Sequence, residues 1–157
     1  MNTSNNKTCN IYRIIVITFI VTGMWDVILR MITLYNPVPY IHEIMPFMKD
    51  LQPYFQKHTL LAAALIAGFV GASAQYIILN IMNFPTVDSS LRYNVTFMMM
   101  SFIISALYGF IMKATKLFPY LDKYYYEKLG VIRSLYHDGI SGIIVQMTLL
   151  LYFYLMK

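Results

Sequence analysis

Apolar residues gather into four blocks along the chain, residues 11–35, 60–82, 95–112 and 138–156. Each is close to or above the roughly 20 residues that a helix needs to cross the hydrocarbon core of a bilayer. The pattern predicts an all-α fold: a polytopic integral membrane protein with four transmembrane helices, forming a single membrane domain over 1–157. The segments between the blocks are unequal. The first connection, 36–58, carries Pro37, Pro39, Pro46 and Pro53 among aromatic residues. Within it Ile41, Ile44, Met45, Met48 and Leu51 recur at helical spacing, opposite His42, Glu43, Lys49, Asp50 and Gln52. That spacing predicts an amphipathic interfacial helix over about 40–52, kinked near Pro46. The third connection repeats the pattern, with Leu117, Leu121, Tyr124 and Val131 set against Lys116, Asp122, Lys123, Glu127 and Lys128. It predicts a second interfacial helix over about 116–132. The middle connection is short, with Asn83, Pro85 and the turn cluster Asp88-Ser89-Ser90. With four spans, both long connections lie on one side of the membrane.

Composition agrees with this pattern: 59% of the residues are hydrophobic and only 12% charged, far from the soluble average. The net charge of +5 is spread without a basic run, which directs it to lipid headgroups and gives no reason to expect nucleic acid as a partner. The single cysteine, Cys9, excludes an internal disulfide, a CxxC redox pair and a cysteine-rich zinc site. His42, His58 and His137 are scattered over the connections and outline no metal site, and no cofactor is expected. The polar start with Lys7 resembles a secretory signal, but no small-residue cleavage pattern occurs around 22–24, so the first helix is expected to be retained. The long connections, with Arg30, hold the larger share of Lys and Arg, which places both termini on the non-cytoplasmic side. Asn2, Asn6 and Asn94 fit the glycosylation motif, a match common by chance.

Chemistry that does not belong in lipid marks the candidate site. Asp26 and Arg30 stand four residues apart inside the first block, on one helix face and with the acid N-terminal to the base. Each such charge costs roughly 2.5–3.5 kcal/mol near the centre of a lone spanning helix, so a partner or a purpose is implied. Gln75 and Gln146 are the other polar side chains expected to point inward, with Thr18, Thr22 and Thr148 as possible companions. If all of these face one another, the bundle holds one central polar cluster. Such a cluster is either interhelical glue or the gate of a passage for a small ion or solute. Small residues form ridges for close packing: Ala64, Gly68 and Ala72 beside Ala63, Ala67 and Gly71, then Ser101, Ser105 and Gly109, then Gly139 and Gly142. Met98-Met99-Met100 reads as adaptable packing. Tyr35, Tyr40, Tyr54, Tyr120 and Tyr124-Tyr125-Tyr126 read as an aromatic belt at the membrane boundary.

Asp138 is expected as the N-cap or a first-turn acid of the fourth helix, where the helix dipole favours it. Gly139-Ile140-Ser141-Gly142 matches the G-x-S-G nucleophile motif of rhomboid proteases. No histidine follows Ser141, however, and that chemistry needs one on a later span, so no enzyme is expected. Over 58–119, Ala67-Gly68, Gln75, Arg92, Gly109, Lys113 and Phe118-Pro119 resemble the Mpv17/PMP22 family of small organellar membrane proteins, with Asp138 near that family's late acidic step. The richness in Tyr, Met and Asn, with Trp25-Asp26 through Arg30 and His137-Asp138-Gly139, also resembles small membrane proteins of large DNA viruses. The second resemblance implies a viral membrane and no mechanism. The functional expectation is a non-enzymatic multi-pass protein that structures or organises a membrane, the alternative being a small channel or transporter built on Asp26 and Arg30. Expected partners are the lipid bilayer, further copies of the chain, or other membrane or capsid proteins.

Overall fold

A computed structural model of the chain describes the backbone of residues 3–35, 59–86, 88–115 and 123–156, with side chains placed over 10–35, 59–86, 88–112, 114–115 and 130–156. The described residues form four helices: α1 (Thr3–Tyr35), α2 (Leu60–Ile81), α3 (Leu91–Ala114) and α4 (Lys123–Leu155). Each contains a stretch long and apolar enough to cross a membrane: Asn10–Tyr35, Leu60–Ile81, Leu91–Met112 and Gly130–Leu155. The chain is therefore a multi-pass membrane protein whose described secondary structure is all helical, as the four apolar blocks predict.

Local chemistry sets the helix ends. The Thr59 side chain accepts a hydrogen bond from the Ala62 amide at 3.2 Å and starts α2. At the other end Met82 turns extended ahead of Asn83, Phe84 and Pro85, and a proline cannot continue the helical hydrogen-bond ladder. Ser90 caps α3 by accepting from the Tyr93 amide at 3.2 Å, and Thr86 and Ser89 bond to each other in the turn before it. In α4 the helix breaks at Gly130, whose φ of 72° and ψ of 163° suit a residue without a Cβ.

The fourth span starts earlier than its apolar block. Arg133, Ser134, His137 and Asp138 dilute the hydropathy of its first turns, and the block placed at 138–156 covers only the later part of the span Gly130–Leu155. Asp138 is accordingly an interior residue of α4 and not its N-terminal cap. The interfacial helix expected over 40–52 lies outside the described residues. Of the one expected over 116–132, the backbone from Lys123 onward is helical and runs into α4 across the break at Gly130.

The four helices run up, down, up and down as two close pairs, α1 with α2 and α3 with α4, and the pairs meet more sparsely through α1 against α4 and α2 against α3. Glycines hold each pair together. A Cβ on Gly23 would lie 2.8 Å from the Ala64 carbonyl oxygen, and one on Gly68 would lie 2.7 Å from that of Phe19, so both positions need the bare backbone. In the second pair Gly139 takes the ring of Phe102, Gly142 takes Ser105, and Gly109 takes the Asp138 carboxylate. Polarity is distributed as lipid demands. Val16, Ile20, Met24 and Ile28 of α1 and Val95, Met99, Ile103 and Leu107 of α3 are exposed on the outside, whereas Thr18, Arg30, Gln75, Ser101, Ser134 and Gln146 are buried.

Candidate functional site: the paired polar interior

Three polar links occupy the interior, each positioned by a different pair of helical registers. In α1, Arg30 Nε donates to Asp26 Oδ2 at 2.5 Å, the contact that i, i+4 spacing permits on one helix face. The Arg30 side chain is almost fully buried and that of Asp26 about a quarter exposed. The attraction between the two offsets part of the cost of placing either charge in hydrocarbon. Asp26 also lies within electrostatic range of His137 on α4, and His137 Nδ1 lies 3.6 Å from Asp138 Oδ1. The Asp138 carboxylate in turn occupies the space left by Gly109 on α3. Asp138 is thus held inside the close pair of α3 and α4, with His137 beside it.

The second link crosses the bundle. Gln75 Nε2 donates to Gln146 Oε1 at 3.4 Å, and Gln146 Nε2 donates back to Gln75 Oε1. Both side chains are buried, so each amide supplies the other with the donor and acceptor that lipid would not. The third link is Trp25 Nε1 donating to Thr148 Oγ1 at 3.1 Å across the α1/α4 seam. Thr148, Thr18 and Thr33 also fold their hydroxyls back onto the carbonyl four residues earlier in their own helices, which satisfies a polar group without a neighbour.

Depth explains why these residues do not form one cluster. Gly23 of α1 lies level with Ala64 of α2, and from that contact Arg30 is about 10 Å toward the Tyr35 end of the bundle whereas Gln75 is about 16 Å in the opposite direction. The ion pair and the amide pair are therefore in different layers. Of the packing residues read from the sequence, Gly68, Gly71, Gly109 and Gly142 each sit in a close helix contact, with Gly71 against Thr22 and Gly142 against Ser105. Ala72 is half-buried. The sequence named Thr148 but missed Trp25 as its partner. The signal available was that Trp25 is the chain's sole tryptophan, next to Asp26 and in need of an acceptor within a span.

The end with the short connection is closed by aromatic rings. Phe84 meets Phe97 of α3 and Phe153 of α4 edge-on, with centroids 5.7 and 5.4 Å apart, and the Arg13 guanidinium lies 5.5 Å over the Phe153 ring. An open, largely apolar groove of about 460 Å³ is lined by Asn94 with Val95, Met98, Met99, Phe102 and Ile103 of α3, and by Ile143 of α4. Among the described residues no three His, Cys, Asp or Glu side chains converge as a metal site would require. No protein-family model matches the chain, and no curated protein or solved structure is significantly similar to it.

Proposed function

We propose that the chain is a non-enzymatic, structural membrane protein that organises a bilayer or the proteins within it. What supports this reading is that three pairs of polar side chains within the bundle engage one another: Gln75 with Gln146, Trp25 with Thr148, and Asp26 with Arg30. A permeation path needs polar groups that exchange their partners for a passing solute, and each of these groups has a protein partner already. On this reading the long connections, rich in proline and tyrosine, carry the contacts to lipid headgroups and to partner proteins, whether further copies of the chain or other membrane or capsid proteins. Both termini face the non-cytoplasmic side. A viral membrane is one setting for such a role, suggested by the resemblance alone.

The second reading is a small channel or transporter. It is favoured by one observation, the pairing of His137 with Asp138 at 3.6 Å inside the fourth span, because ionisable groups within a span often mark ion pathways. Reconstitution of the purified protein in liposomes separates the two. A structural role predicts ion and small-solute flux no greater than in protein-free vesicles, together with a change in vesicle shape or protein clustering that persists in the Asp26→Asn, Arg30→Gln double variant. Flux through correctly inserted protein that changes with Asp26→Asn would sink the structural reading and establish the channel.

A further inference from the structure

The two helix pairs carry the same pattern twice. In α1 the run Thr18-Phe19-Ile20-Val21-Thr22-Gly23 corresponds to Ser101-Phe102-Ile103-Ile104-Ser105-Ala106 in α3, residue for residue in chemical type. In α2, Gly68, Gly71 and Gln75 have the spacing of Gly139, Gly142 and Gln146 in α4. The contacts repeat along with the residues. Phe19 lies against Gly68 and Thr22 against Gly71, just as Phe102 lies against Gly139 and Ser105 against Gly142.

Burial repeats as well. The shift that carries Gln75 onto Gln146 also carries the other buried positions of α2, Ala63, Gly68, Ala74 and Ile78, onto Ser134, Gly139, Val145 and Leu149. All four of those are buried, and with Gln146 they are the buried residues of α4 among those described. The same shift carries the Thr59 cap, where α2 begins, onto Gly130, where α4 breaks. In the other helix pair, the shift from Thr18 to Ser101 carries buried Ile14 onto buried Phe97 and buried Gly23 onto buried Ala106. Two helices packed in one bundle share a 3.6-residue period in any case. That period does not dictate that the uneven spacing of Ala63, Gly68, Ala74, Gln75 and Ile78 should recur position by position.

We propose that α1 with α2 and α3 with α4 are two copies of one helical-hairpin module, docked about a pseudo-two-fold axis along the bilayer normal through the Gln75–Gln146 pair, so that the surface at the seam is one that recognises a second copy of the same module. Three features fit this arrangement. The helices alternate in direction, so α1 is parallel to α3 and α2 to α4, which puts the axis along the helices. The amide pair is reciprocal, each glutamine donating to the other, as a contact on a two-fold axis requires. The two sparse seams, α1 against α4 and α2 against α3, are the pair of contacts that this rotation interchanges. The modules differ chiefly in charge. The shifts carry Asp26 onto Gly109 and Asp138 back onto Ala67, so the acid and the small residue have exchanged helices. His137 corresponds to Ile66. The departures from the common module are thus concentrated in the ionisable residues Asp26, His137 and Asp138.

The test is a saturation substitution scan of the full chain, read as the yield of folded, membrane-inserted protein. The expected result is that the tolerance profile of α2 correlates with that of α4 best under the shift from Gln75 to Gln146, and that of α1 with α3 best under the shift from Thr18 to Ser101. Substitutions at Gly68 and Gly139, or at Gln75 and Gln146, then lower the yield by the same factor. Correlation at these shifts no higher than at shifts displaced by three or four residues overturns the proposal, because helical periodicity alone then accounts for the likeness. The result does not depend on whether the protein organises membranes or conducts solutes.

Discussion

Replacing Gln75 with leucine removes both hydrogen bonds of the amide pair at once, because the same side chain donates one and accepts the other. Interhelical hydrogen bonds in membranes are worth about 0.6–2 kcal/mol each, and a buried amide left without a partner adds about 1–3 kcal/mol. Gln146 is only 2% exposed and Gln75 only 1%, so neither can turn to water when its partner is lost. Two lost bonds and one unpartnered amide together give an expected cost of about 2–7 kcal/mol for each single substitution. The double variant Gln75→Leu, Gln146→Leu behaves differently. Leucine has much of the shape of glutamine without its polar atoms, and replacing both partners by apolar groups is close to neutral, so the double variant should lose no more than about 1 kcal/mol. The signature is strong non-additivity, with the second substitution restoring most of what the first removes. Equilibrium unfolding in mixed micelles with a rising fraction of denaturing detergent measures it. Trp25, the sole tryptophan, reports on the seam through its bond to Thr148. Additive losses, or a double variant less stable than either single one, would refute the reasoning and mean that the amides are bonded to something other than each other.

Two further outcomes follow from the same physics. Arg30→Leu leaves the Asp26 carboxylate without its ion-pair partner and is expected to cost about 3–5 kcal/mol, whereas Asp26→Leu with Arg30→Leu costs less than either change alone; the same unfolding measurement decides, and equal losses in all three variants would show that the pair is not the reason either charge is tolerated. Gly130→Ala meets open space, yet its backbone lies in a region nearly reserved for glycine, so a loss of about 1–3 kcal/mol is expected from strain alone, and an unchanged unfolding midpoint would count against the break in α4.

The spans were legible because length and apolarity are properties of the chain itself: a run such as 60–82 has no other stable place than a bilayer. The start of the fourth span was not legible, since Arg133, His137 and Asp138 read as connection until the surface they meet is known, and Gly109 makes room for Asp138 from a different helix. The candidate site divides in the same way. Asp26 with Arg30 could be read directly, because helical geometry fixes an i, i+4 pair before any tertiary contact exists. Gln75 with Gln146 could be expected only as inward-pointing residues, since which amide meets which depends on the arrangement of four helices. The same spacing, Gly-x-x-Gly-x-x-x-Gln, occurs in both α2 and α4 and did carry that information. A glutamine at one place in a repeated hairpin has its own counterpart as its natural partner, because a two-fold arrangement brings equivalent positions together on the axis. Internal repetition was thus the one signal in the sequence able to predict the central tertiary contact, and single-helix hydropathy, which averages over each span, hides it.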